Sequence, residues 1–401
     1  MYMHQMADAA TATSNVRSDH EAALKTLVAA AFLVFFNGYL VAPLIPALAR
    51  EFHTTEQRIG LVVPAYLLTY GFSTLFYGPL SDRVGRRRIL LVLLALSALS
   101  TLLCGFAWSA ASLIALRILC GLCAGGIVPI SLALIGDLYP YQAIGRPLGW
   151  VFGAIAGGIS FGSTLGAWLN PYLGWRKEFI VLAVAGVGVL LAAWRQAFPS
   201  GPEPGARPPL SAVLGTYLAL VRTWRGARTY GLIFCNGLFH GGIFAWLGLY
   251  LFRRYGLSDP GIGKALLGYG LPGMLLGPIL GRLADRFGRR RIVPAGLILA
   301  AGCAFLLVPQ VPLWLAVLVI TLLSVGFDMT HPLMAGIVSA LDPARRGQAM
   351  GLNAFAVFTG FGFGSLLFQS LIPFGLAFAL AAFAIAQTAL ALFAARFFPS
   401  E

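Results

Sequence analysis

Residues 78–90 read GPLSDRVGRRRIL, and residues 281–292 read GRLADRFGRRRI. The second stretch follows the first by 203 residues and repeats its glycines, aspartate and arginines in register. At the same offset Gly60 meets Gly263, Tyr66 meets Tyr269 and Pro129 meets Pro332. Duplication is the simplest account, so the chain reads as two related halves.

The medium of those halves follows from composition. Of 401 residues, 59% are hydrophobic and 10% charged, whereas a soluble domain carries about 25% charged residues. The uncharged run Ile89 to Leu116 is long enough to cross a hydrocarbon core as a helix, which takes roughly 20 residues, and Phe179 to Trp194 approaches that length. The chain is therefore expected to be an all-α polytopic membrane protein. Cutting at charges, prolines and glycines predicts twelve spans, beginning near residues 24, 58, 89, 111, 147, 176, 229, 261, 292, 312, 347 and 374. Between the sixth and seventh lies FPSGPEPGARPPL, whose prolines cannot continue a helix. The organisation predicted is a cytoplasmic tail (1–23), a six-helix bundle (24–197), a cytoplasmic linker (198–228), a second six-helix bundle (229–397) and a short tail (398–401).

Orientation is read from lysine and arginine, which cytoplasmic loops retain. Placing both termini inside leaves only Arg50, Arg58, Arg176, Lys177, Arg253, Arg254 and Lys264 outside and Arg117 within the membrane, out of 28. The first 23 residues hold no apolar core before a cleavage site, so the first span is expected to direct its own insertion. The net charge of +14 is scattered in short clusters rather than a stripe, which argues against nucleic acid as a partner. Arginine outnumbers lysine 25 to 3, a bias that weakens arguments from arginine alone. The five cysteines all lie in apolar segments, so no extracellular disulfide framework is implied. Cys120 and Cys123 form a C-x-x-C among Gly121, Gly125 and Gly126, where small residues favour close helix packing over redox or metal chemistry.

The paired stretch carries a resemblance. Gly78, Leu80, Asp82, Arg83, Gly85, Arg86 and Arg87 match the loop signature of the major facilitator superfamily, and Gly281, Leu283, Asp285, Arg286, Gly288, Arg289 and Arg290 match its usual second copy. The resemblance runs from the first to the last predicted span. It implies twelve transmembrane helices in two pseudo-symmetric six-helix bundles, with a transport site between the halves near the midplane. It also implies a cytoplasmic latch that holds the halves together in the outward-open state, with Asp137, Arg146, Asp342 and Arg346 as further partners. Read from the residues alone, Gly78 lets another helix approach, and Asp82 faces a helix N-terminus or pairs with a guanidinium. Arg87, Arg88, Arg290 and Arg291 read as positive-inside anchors.

Two further segments resemble the drug and sugar efflux branch of that superfamily, whose members exchange substrate for protons. Arg117 in ALRILCGLCAGG resembles that branch's helix 4 motif, and NGYLVAPLIPAL resembles its helix 1 segment through Pro43 and Pro46. A charge at the depth of Arg117 costs roughly 2.5–3.5 kcal/mol on insertion scales, so it faces either a cavity or, near the helix end, water. The helix 5 antiport signature is interrupted in GISFGSTLGA, where Ser163 and Ala167 replace a proline and a glycine.

Other polar residues within spans are candidates for a substrate and proton pathway. Asp328 and His331 lie three apart on one helix face; the pair has the chemistry to carry a proton, or forms a fixed ion pair. Asn37 corresponds to His240 at the offset of 203, and the two are expected to face each other across the centre. Tyr66, Asn236, Trp246 and Tyr269 complete a mostly apolar and aromatic lining. No ring of acids is present to select metal cations, and no cofactor is expected beyond a proton gradient as energy source. PGIGKA lacks the spacing of a nucleotide-binding loop, and Asp328 with His331 lacks a serine or cysteine nucleophile, so no enzyme is predicted. The expectation is a secondary transporter of a small organic molecule, exporting it in exchange for protons from a bacterial inner membrane, as a monomer among lipids. Proton-coupled uptake, or a non-transporting sensor of the same fold, is the alternative.

Overall fold

The computed structural model describes residues 2–140, 143–196, 198, 210–273, 275, 279, 286–342 and 345–397. Every regular element among them is helical. In the first half the helices are α1 (Tyr2–Leu40), α2 (Ile45–Glu51), α3 (Glu56–Gly60), α4 (Val62–Val84), α5 (Arg86–Cys104), α6 (Ala110–Ala124), α7 (Ile127–Leu138), α8 (Gly145–Leu173) and α9 (Trp175–Arg195). A connecting helix α10 (Leu210–Arg222) leads to α11 (Trp224–Tyr255), α12 (Asp259–Leu266), α13 (Arg289–Leu306), α14 (Leu313–Leu341), α15 (Arg346–Leu371) and α16 (Leu376–Phe397).

Ten stretches among the described residues are long and apolar enough to cross a membrane, and they correspond to ten of the twelve expected spans. The span expected near 261 begins with α12 and passes into residues outside the description. That near 292 is α13, whose 18 residues open on three arginines. The expected N-terminal tail is continuous with α1. Part of the expected linker is helical as α10, and α11 starts five residues before the predicted 229; the proline-rich residues 199–209 lie outside the description.

Several spans are interrupted among the described residues, two of them at prolines or glycines that bear on the site. Pro43 and Pro46 lack an N–H, and a 3-10 turn at Ala42–Leu44 separates α1 from α2. At Gly125 and Gly126, α6 passes into α7. A Cβ on Gly121 would lie 2.3 Å from the Tyr66 carbonyl oxygen, and one on Gly125 would lie 2.6 Å from that of Tyr70. In lipid, such backbone approach supplies the dispersion contact that a hydrophobic effect cannot.

The packing repeats as the sequence does. In the first half α1 packs on α8, α4 on α6 and α5 on α9; in the second α11 packs on α15, α12 on α14 and α13 on α16. The halves meet where α4 lies along α15 and α8 along α12. The most apolar window of Trp224–Tyr255 is 83% buried and that of Trp175–Arg195 only 28%, which puts α11 in the middle of the molecule and α9 at its rim. The end of the bundle holding His20, Asp137, Trp194 and Tyr217 is called proximal below, and the opposite end distal.

Candidate functional site

The helix break at Pro43 prepares a site for Arg117. The last four carbonyls of a helix have no partner within it, and they form the negative end of its dipole. Arg117, fully buried on α6, donates from Nη2 to one of these carbonyls, Gly38 O, at 3.2 Å. Its Nη1 donates to Asn37 Oδ1 at 2.7 Å and its Nε to Val62 O at 3.5 Å. The Tyr66 ring covers the guanidinium at 4.3 Å, while the Tyr66 hydroxyl donates to Val34 O at 2.9 Å. Asn37 Nδ2 completes the network by donating to Thr101 Oγ1 at 2.8 Å. Among the described residues no carboxylate bonds this cation; neutral dipoles and a π face hold it. Arg117 therefore does not snorkel to water, and Asn37 turns into the first half instead of facing His240.

The second half answers with carboxylate and imidazole. Asp328 Oδ2 is buried with no hydrogen-bond partner among the described residues, and its carboxylate fills the space beside Gly273, where a Cβ would lie 2.5 Å from Oδ1. His331 does not bond Asp328; it stacks on Phe327 at 5.0 Å and 10°. The same Phe327 ring meets His240 edge-on at 5.1 Å, and neither nitrogen of His240 has a hydrogen-bond partner among the described residues. Two imidazoles thus flank one phenyl ring, one helical turn from an unpartnered carboxylate oxygen. A fixed Asp328–His331 pair is not what the structure forms. Asn236 also departs from expectation: it donates to Thr330 Oγ1 at 2.8 Å and accepts from Gln387 Nε2 at 2.9 Å, so its amide is taken up inside the second bundle.

Between these groups the halves touch through aromatic rings. Tyr39 meets Phe244 at 5.0 Å, Tyr70 meets Phe358 at 4.5 Å and Phe35 meets Phe358 at 5.6 Å. Tyr269 packs on Phe244 at 4.5 Å. Of these, the sequence reading named only Tyr269, together with Tyr66, which stacks on Tyr70. The spacings Phe35–Tyr39, Tyr66–Tyr70 and Phe358–Phe361 are i,i+4 or i,i+3, so a search for aromatic faces on helices would have found Phe35, Tyr39, Tyr70 and Phe358, though not Phe244.

The distal end is closed across the halves. Arg253 pairs with Glu56, Gln369 Nε2 donates to Gln57 O at 2.9 Å, and Asn170 Nδ2 donates to Asp259 Oδ2 at 2.8 Å, with Arg50 3.9 Å from the same carboxylate. Trp246, expected in the pathway, belongs here: its Nε1 donates to Ser365 O at 3.1 Å and its ring covers Gly60, where a Cβ would fall 2.3 Å away. A Cβ on Gly248 would lie 2.7 Å from Pro43 Cα. Outside this seal, Arg50, His53, Glu56 and Phe252 border an open crevice of about 590 Å³.

At the proximal end the expected latch has only part of its predicted wiring. Arg86 binds Asp82 at 2.9 Å and Asp137 at 2.5 Å, joining α4, α5 and α7 inside the first half. Arg87 donates to Trp194 O at 2.7 Å. Arg146 pairs with Glu21 at 2.9 Å rather than with this cluster. Among the described residues nothing lies within 4 Å of a Cβ on Gly78, so none of the described helices approaches there. Gly85, at φ 108°, and its counterpart Gly288, at φ 79°, mark turns where only glycine is unstrained. In the second copy Arg286 lies against Phe287 at 5.4 Å, Asp342 is 4.0 Å from Arg345, and Arg346 is exposed. Gly281, Asp285 and the side chain of Arg289 lie outside the described residues.

Comparison with known proteins agrees with this architecture. A family model described as "Major Facilitator Superfamily" matches residues 27–365 and 229–401. An uncharacterized MFS-type transporter of Bacillus subtilis, YceJ, is 30% identical over 357 residues, covering 86% of this chain and 88% of that protein. Multidrug resistance protein 1 of the same organism is 25% identical, covering 86% and 88% respectively. Among solved structures, the human organic anion transporter MFSD10 superposes with a TM-score of 0.74 at 19% identity, over 94% of this chain and 99% of that one.

Proposed function

We propose a specific transport reaction for this chain, which belongs to the Major Facilitator Superfamily and is a secondary transporter: export of a small organic solute in exchange for protons, with Asp328 as the group that takes up and releases the proton. The observation that carries the reading is the contrast between Arg117 and Asp328. Arg117 is buried behind Tyr66 with its donors engaged, so it positions helices and is withheld from the substrate. Asp328, beside Gly273, keeps an oxygen without a partner among the described residues. An intramembrane carboxylate without a compensating cation is costly when charged, so it holds a proton until a substrate group or water replaces that proton. His240 and His331 supply further hydrogen-bonding points beside it. The centre thereby suits solutes that are neutral or carry positive charge in preference to anions. The name of the multidrug relative supports export.

Alternating access then consists of the halves rocking about the aromatic contact. Breaking the Arg253–Glu56 and Asn170–Asp259 links opens the distal end, taken as the outer one because lysine and arginine gather at the proximal end. Ser163 and Ala167, where the antiport signature departs, favour proton-coupled uptake as the second reading. In the structure Gly158, Gly162 and Gly166 still admit the α1 backbone, each with a Cβ position 2.6 Å from one of its carbonyl oxygens, so the packing role of that segment is retained.

The test is reconstitution in liposomes containing a pH dye, with lipophilic cations, neutral drugs, sugars and amino acids as candidate substrates. Substrate-driven proton movement is expected in the wild type and its loss in Asp328→Asn. Substrate flux that proceeds equally without a proton gradient, and is unchanged in Asp328→Asn, would refute the coupling role.

A further inference from the structure

Transport makes no use of the thiols in the first half, yet two of them are placed together. Cys104, the last residue of α5, and Cys120 on α6 have their sulfurs 3.6 Å apart, and both side chains are fully buried. Cys120 thus partners Cys104, not Cys123 of its own C-x-x-C. The pair sits one helical turn from the Arg117 network on both helices: Thr101 precedes Cys104 by three residues, Arg117 precedes Cys120 by three, and Asn37 joins Thr101 to Arg117 through bonds of 2.8 and 2.7 Å. Because α5 and α6 run antiparallel, Thr101 and Arg117 lie one turn to either side of the sulfur pair, and the network that Asn37 of α1 completes between them spans its level.

The separation selects the chemistry that would join the sulfurs. A disulfide needs about 2.05 Å between them, so it requires the helices to close up. A single atom bound to both sulfurs at about 2.3 Å, the length of a metal–thiolate bond, subtends an angle of about 100° at the observed 3.6 Å, whereas linear two-coordinate binding needs about 4.6 Å. An angle near 100° suits a bent centre; tetrahedral zinc, at about 3.75 Å between sulfurs, needs further ligands, and no group of three His, Cys, Asp or Glu forms among the described residues, whereas pyramidal trivalent arsenic needs only two thiols. Leu103 and Leu119, each adjacent in sequence to one of the cysteines, are exposed while both thiols are fully buried, so a lipid-soluble reagent in the bilayer reaches the sulfurs only when α5 and α6 part.

We propose that Cys104 and Cys120 form a dithiol site for trivalent arsenicals, and that closing it inhibits transport by fixing α5 against α6 at the level that the Arg117–Asn37–Thr101 network spans. In the reaction an arylarsonous acid, ArAs(OH)2, exchanges two As–O bonds for two As–S bonds; each thiol proton leaves on a hydroxyl as water, and nothing is oxidised or reduced. The binding half of the proposal stands independently of the direction of transport and of its coupling ion.

The full-length protein is treated with phenylarsine oxide in detergent and in proteoliposomes, and read by intact mass, by N-ethylmaleimide mapping of the remaining thiols, and by solute flux. One adduct per chain is expected, protecting Cys104 and Cys120 among the five free cysteines, reversed by 2,3-dimercaptopropanol, with flux reduced at least tenfold. Cys123→Ser is expected to behave as wild type. Cys104→Ser and Cys120→Ser are expected to lose the adduct on dilution and to keep their flux in its presence. Should either variant fail to fold, the mapping on wild type decides alone. Protection of Cys120 with Cys123, a stable adduct in Cys104→Ser, or no adduct on folded wild type overturns the site. An adduct on the predicted pair with undiminished flux overturns the link to transport.

Discussion

Tyr217 on α10 is expected to bolt the two halves together at the proximal end, and its removal is expected to loosen them by a measurable amount. Pro79 lies inside α4 and has no N–H, so the carbonyl of Leu75, four residues earlier, lacks its helical donor. The Tyr217 hydroxyl donates to that carbonyl at 3.0 Å. Around it α10 buries Val213, Tyr217 and Leu220 and packs on α11 and α15 of the second half, so one hydroxyl ties the connecting helix to the first half. Burial pushes this hydroxyl up to about 12, which keeps it a donor at physiological pH. In Tyr217→Phe the part-buried carbonyl is left unpaired, which costs up to about 1–3 kcal/mol. If the bolt exists only in this conformer, that cost shifts the conformer's population by about 5- to 150-fold. Hydrogen–deuterium exchange of residues 213–222 is expected to accelerate by a factor in that range, with turnover altered and substrate affinity little changed. A double-mutant cycle sharpens the test: Pro79→Ala restores the N–H, so Tyr217→Phe is expected to cost at least ~1 kcal/mol less in that background. An equal effect of Tyr217→Phe in both backgrounds would refute the reasoning.

Three other changes follow from the geometry. Gly60→Ala places a methyl 2.3 Å from the Trp246 ring; although alanine is the better helix former by about 1 kcal/mol, turnover is expected to fall at least tenfold and to recover in part in Gly60→Ala/Trp246→Leu. Arg117→Lys keeps the charge but not the fork that reaches Asn37 and Gly38 together, so each acceptor left unpaired is expected to cost about 1–3 kcal/mol, read as a lower unfolding temperature in detergent. Asp82→Asn weakens the Arg86 cluster and is expected to slow turnover more than it weakens substrate binding; unchanged turnover would remove the latch role.

What was legible in the sequence is what the bilayer demands of each segment separately. A spanning helix must satisfy its own backbone and present apolar side chains along its length, so the uncharged runs could be counted without knowing their neighbours. The break after Leu40 was legible from Pro43 and Pro46, and the two-half plan from a motif repeated at a fixed offset. Arg117 and Asp328 stood out because any charge in such a run is conspicuous.

The pairing of those groups was decided by tertiary structure. Nothing local indicates that Asn37 turns toward Arg117 and Thr101, whose positions are 80 and 64 residues away, while its repeat partner His240 turns toward Phe327. Trp246 reads as a cavity residue on its own helix and becomes part of the distal seal because Gly60 of the other half leaves room for its ring. Cys120 reads as half of a C-x-x-C, yet its sulfur meets Cys104 across a helix interface. The local sequence determines that each segment is a buried helix, because that is an energy of one segment against lipid. Which polar atom meets which is an energy of packing between segments, and only the assembled bundle contains it.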